Sequence, residues 1–128
     1  MAKRNRKSKK PTIDDIQADC KFIVPLYGGT VFVFRSREAL HDARALLGRP
    51  YEDDHANAGC CEMFESTHDG RALYLVGLFV DAASVLAHEV THLALSIADR
   101  AGFDPLNEQE PLAYLIEELF GRIAGEYD

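Results

Sequence analysis

Tryptophan is absent from this chain of 128 residues, methionine occurs twice and cysteine three times. The three cysteines, Cys20, Cys60 and Cys61, are an odd number, two of them adjacent and badly placed to bridge each other, with no C-x-x-C pair. That excludes a disulfide framework and points to a reducing, cytoplasmic setting. Cys60 and Cys61 read as strand residues acting as small apolar side chains rather than as metal ligands. No apolar run is long enough to span a bilayer, which excludes a transmembrane helix and a membrane partner. The first ten residues, MAKRNRKSKK, contain no apolar core and no small-residue cleavage site, so they do not read as a secretory signal.

Hydrophobic residues make up 47% and charged residues 27%, the balance of a chain that buries a core and not of a disordered one. The length suits one domain, expected over 13–128 behind a disordered basic arm, 1–12. The net charge is −7, yet six of the fourteen basic residues stand in the first ten positions. Eight basic against twenty-one acidic residues remain, so the rest of the chain carries −13. An acidic body repels phosphate, which confines any nucleic-acid contact to the arm.

Hydropathy patterning predicts strands at Lys21–Pro25, Thr30–Phe34, Cys60–Glu65 and Arg71–Phe79, with a hairpin turn at His68-Asp69-Gly70. Helices are predicted at Arg37–Leu47, behind the N-cap Ser36, at 81–101, ended by Gly102, and at Pro111–Ile123. Tyr51–Gly59 reads as a loop. The order β-β-α-β-β-α-α implies a small α+β domain with an antiparallel-rich sheet against helices. The helix at 81–101 is apolar on nearly all sides (Leu86, Val90, Leu93 and Ile97 form its main stripe), so it is expected to be buried.

That helix carries His88-Glu89-Val90-Thr91-His92, the pattern HExxH. Two histidines four residues apart project from one helix face and can reach one metal ion, expected to be Zn2+. Glu89 is then a general base rather than a ligand, placed to accept a proton from a water that the metal acidifies. A tetrahedral site needs a third protein ligand. Leu95 and Ala98 exclude the longer HExxHxxGxxH form, and Asp99 is about 10 Å up the helix from His92, too far to share an ion. The expected third ligand is Glu110, because Pro111 makes a capping role for it awkward; Glu108, Asp104 and His68 are the alternatives. Tyr114, on the face that carries Glu110, is a candidate to stabilise an oxyanion or orient a ligand. Glu117 and Glu118 read as a solvated stripe, and His41, His55 and His68 as ordinary exposed histidines.

The stretch HEVTHLALSIADRAGFDPLNEQEPLAYLIEEL resembles the gluzincin branch of HExxH zinc metallopeptidases, and more closely small metallopeptidase-like proteins of bacteriophages. The resemblance covers about a third of the chain. It implies a zincin-like fold in which the last helix folds back on the HExxH helix. It also implies His88, His92 and Glu110 as ligands, Glu89 as the base, and a peptide or protein substrate, in host cytoplasm if the source is a phage. By the same analogy the strand before the active helix, Arg71–Phe79, would flank the cleft and accept an extended peptide at its edge. Tyr114 occupies the place where the larger gluzincins carry an acidic residue. The competing reading is a non-catalytic, metal-stabilised phage protein that binds a host or virion partner.

Overall fold

The computed structural model describes residues 12–49 and 57–125. The basic segment 1–11, most of the 51–59 loop and His55 lie outside the described residues. At the start of the described chain, Thr12 already caps a short 3₁₀ turn, Ile13–Asp15, in a reciprocal capping box. Four strands and three α-helices follow: β1 (Cys20–Ile23), β2 (Thr30–Phe34), α1 (Arg37–Leu46), β3 (Gly59–Glu65), β4 (Ala72–Leu78), α2 (Ala83–Ala101) and α3 (Gln109–Ala124). This is a small α+β domain.

The sheet runs in the order β1-β2-β4-β3. β1 and β2 pair antiparallel, as do β3 and β4, so two hairpins lie side by side. They join through β2 and β4, which are parallel. The sheet is therefore mixed rather than simply antiparallel. The run Thr30–Phe34 shows why β2 is central: all five residues are buried, with Val31 and Val33 facing one layer and Phe32 and Phe34 the other. β4 behaves likewise, its seven residues all buried.

Helix α1 covers one face of the sheet, where Leu40 and Ala43 meet Phe32, Phe34, Leu73, Leu75 and Phe64. On this side Arg44 is buried and ion-paired with Glu62 of β3. Helices α2 and α3 cover the other face. Val90, Leu93, Ala94 and Ile97 from α2, and Leu115, Leu119 and Ile123 from α3, close over Val31, Val33, Tyr74 and Val76. The C-terminal helix does fold back on the HExxH helix. Gly102 ends α2 in the left-handed conformation, φ 87°, with its N–H returned to the carbonyls of Ala98 and Asp99.

Two expectations change here. The helix α2 is not enclosed: its core-facing side is buried, while His88, Thr91, His92 and Leu95 are exposed. Its extra apolar residues spread around the wheel but do not all find a layer to pack on. Strand β4, predicted to flank the cleft at a free edge, lies in the interior between β2 and β3. Its unbroken apolar run is the mark of a strand buried on both faces. The edge belongs to β3.

Candidate functional site

Helix α2 and strand β3 form the walls of a cavity of about 440 Å³ lined by Asn57, Gly59, Cys60, Cys61, Met63, His88, Glu89, His92 and Ser96. The register of β3 explains how the strand contributes. Phe79 donates its N–H to the Ala58 carbonyl (2.9 Å) and Ser66 donates to Arg71 (2.8 Å), so the even-numbered residues between them are the ones hydrogen-bonded to β4. Gly59, Cys61, Met63 and Glu65 therefore turn their N–H and C=O groups to the free edge. Their side-chain positions face α2: Gly59 abuts Glu89, Cys61 packs with the α2 core, and Glu65 is ion-paired with Arg100 of α2. Arg100 also donates to the Gly70 carbonyl (2.7 Å), which ties the β3–β4 turn to the end of the helix. At the other end, Arg37 donates to the Asn57 carbonyl and lies over the Phe79 ring.

His88 and His92 stand one helical turn apart with ring centroids 4.8 Å apart in an edge-to-face arrangement. Both rings are on the exposed, cleft-facing side of α2. Glu89 is turned about a quarter of the wheel further, toward β3, and is only 5% exposed. Burial pushes its carboxyl above the usual carboxylate range, and the neighbouring His88 and His92 pull the other way. Gly59 makes this seat possible. A Cβ there would come within 3.0 Å of both Cγ and Oε2 of Glu89. The thiol of Cys61, beside Glu89, is pushed up to about 12, first by burial and then by Glu89, Cys60 and Glu62. It is a neutral thiol at physiological pH.

The structure thus brings together His88, Glu89 and His92, and adds residues that spacing alone did not single out. Ser96 could have been found, since it continues the His88–His92 face by one more turn. Gly59 and Cys61 could not, because their role depends on which strand is the edge. Cys60 and Cys61 do lie in a strand, both half-buried, with Cys61 packed on the α2 layer beside the cleft and Cys60 on the α1 layer.

The C-terminal candidates are not among the cavity-lining residues. Helix α3 begins at Gln109, so Glu108 is the N-cap and Pro111 the third helical residue rather than the first. The first four N–H groups of a helix have no partner within it, so proline at that place forfeits nothing. Pro111 therefore gives no separate reason for Glu110 to be a ligand. Glu108 accepts a hydrogen bond from the Asp104 N–H (3.1 Å), and Asp104 accepts from Leu106 and Asn107. Glu110 is exposed, and its side chain has no hydrogen bond or ion pair among the described residues. Tyr114 is 66% exposed. Glu117 is exposed and Glu118 is ion-paired with Arg122. His68 is in the β3–β4 turn and His41 on α1, both off the cleft.

A zinc ion of the kind that HExxH implies would find two imidazoles in suitable mutual position and an unligated carboxylate beside them. Among the described residues, no three His, Cys, Asp or Glu side chains converge on one point that could hold an ion. The donor chemistry fits two of the three protein ligands required. No helix among the described residues is long and apolar enough to cross a membrane. No protein-family model matches the chain, and the searches of curated proteins and of solved structures returned no match.

Proposed function

We propose that the protein is a zinc-dependent hydrolase of peptide bonds, with a zincin-like arrangement of edge strand, cleft and HExxH helix. The observation that carries this reading is Glu89. Its carboxylate is buried beside two histidines and beside the one edge strand that borders the cleft. A purely structural metal site has no use for an unligated carboxylate in that place, whereas a general base needs one with a raised pKa.

In this reading His88 and His92 hold the ion, and the ion supplies Lewis acidity that makes a water acidic enough to deprotonate near neutral pH. Glu89 accepts that proton and passes it to the leaving amine. Burial favours its neutral form, so it both takes and releases the proton at little cost. The substrate is an extended peptide that adds to the free edge of β3. The N–H and C=O groups of Gly59, Cys61 and Met63 give it a ladder, and the ladder delivers a carbonyl to Glu89.

Glu110 is proposed as the third ligand. It stands in the first turn of a helix packed along α2, and its carboxylate is uncommitted among the described residues, while that of Glu108 is occupied by Asp104. Tyr114, one turn further along α3, is proposed to steady that ligand or a developing oxyanion.

Metal analysis of untagged protein tests the assignment. Near-stoichiometric zinc in wild type and Glu108→Ala, with a large loss in Glu110→Ala, is the expected pattern. Zinc retained in Glu110→Ala moves the third ligand elsewhere. No uptake by wild type, even with zinc supplied, overturns the hydrolase reading.

A further inference from the structure

The cleft is chemically uneven along its length. The end near Gly59 is occupied by Glu89 and bordered by Asn57. At the other end the walls are Met63 of β3 and Ser96 of α2. Met63 is 40% exposed, an apolar side chain left open in a groove otherwise lined with polar groups, thiols and glycine. The register places it on the α2-facing side of the strand, with its own N–H and C=O at the free edge.

Strand polarity turns that unevenness into a direction. On the free edge of β3, Gly59, Cys61 and Met63 each present both a donor and an acceptor, the pattern an antiparallel partner satisfies residue by residue. An antiparallel peptide runs opposite to β3, so its amino-terminal part lies beside Met63 and its carboxy-terminal part beside Gly59. Met63 is four strand residues beyond Gly59, about 13 Å. Ser96 is seven helical residues beyond Glu89, about 10 Å. Met63 therefore stands about four extended residues upstream of the bond that Glu89 attends, with Ser96 about one residue short of it. The small Ser96 leaves room opposite a flexible thioether that adapts to differently shaped apolar groups.

We propose that Met63 is a specificity-determining residue that selects an apolar side chain at the fourth position before the cleaved bond. The proposal rests on the peptide-hydrolase reading above. The substrate class it defines is an extended, unfolded segment carrying Leu, Ile, Met or Phe at that position.

Acetylated tetrapeptide hydroxamates of the form X-Ala-Ala-Ala-NHOH provide a test, because the hydroxamate anchors on bound zinc and X is the fourth residue upstream. Binding to the full chain is read by calorimetry, with zinc content measured on the same samples. Leucine at X should bind about tenfold more tightly than glutamate, the discrimination one apolar contact provides. Met63→Thr should erase the preference and Met63→Lys should reverse it toward glutamate, a switch that loss of structure does not produce. Ile23→Lys, on the opposite edge of the sheet, should leave it unchanged. Zinc-loaded protein that binds all the hydroxamates equally, or none, overturns the proposal and leaves the metal site standing. So does a preference that survives Met63→Lys. Protein that takes up no zinc overturns both readings together.

Discussion

The carboxylate of Glu89 occupies the space that a side chain at position 59 would need: a Cβ on Gly59 would come within 3.0 Å of its Oε2 and 2.6 Å of the Gly77 carbonyl oxygen. Glu89 and the start of the edge strand thus share one small volume, and the absent side chain is what lets them share it. Gly59→Ala should force both the strand and Glu89 to give way. The expected outcome is a lowered melting temperature and a turnover reduced at least tenfold, with zinc content unchanged. Adding Glu89→Asp, which shortens the acid, should relieve only the part of the clash that involves the carboxylate. Wild-type turnover in Gly59→Ala would show that the seat is unimportant.

Glu89→Gln separates chemistry from stability. Hydrolysis should fall 10²- to 10⁴-fold, the span general-base catalysis provides, while zinc is retained. Because burial raises the folded-state pKa of Glu89 above its unfolded value, ionising it costs the native state. Its contribution is fully present below the ordinary carboxylate range and is lost as pH rises through the raised value. In chelator, Glu89→Gln should therefore be more stable than wild type at pH 7, and the gap should close below about pH 4. Denaturant titrations at the two pH values measure this; a gap that widens on acidification contradicts it.

Metal binding and folding should be coupled. Zinc at 100 times its Kd should stabilise wild type by about 2.7 kcal/mol. A strong chelator should reverse the gain, and His92→Ala should abolish it. Thermal melts with and without zinc read this directly, and a wild-type midpoint indifferent to both reagents would falsify the coupling.

On the far face of β3, Arg44 and Glu62 join α1 to the strand that forms the cleft wall. Glu62→Ala takes a carboxylate away from the buried Arg44 guanidinium, and should lower stability by up to about 3 kcal/mol. Replacing both, as Arg44→Met with Glu62→Leu, should recover most of that loss. Urea unfolding of the single and double variants checks both statements. Zinc content should not change in either, since the pair lies across the sheet from His88 and His92.

Local chemistry was readable along the chain. The Thr30–Phe34 strand falls where its β-branched and aromatic run places it, Gly102 ends α2, and the HExxH spacing puts His88 and His92 on one exposed face. What the chain did not disclose was adjacency between elements distant in sequence. The unbroken apolar run in Arg71–Phe79 speaks for burial on both faces, but nothing in it says that β2 will be its parallel neighbour. The edge role of β3, the seat at Gly59 and the place of Met63 all follow from that one pairing. The start of α3 was misjudged by two residues, enough to change the meaning of Pro111.

Every described residue that lines the cleft falls between Asn57 and Ser96, in the run from β3 through β4 to α2. Its walls are neighbours in the chain as well as in space, so closing them spans short loops and little entropy is lost in the closure. The hairpin and the helix that follows it can assemble as one local event, before β1, β2 and α1 complete the sheet. His88, Glu89 and His92 would then stand beside the edge strand early in folding, with the last helix docking on them afterwards.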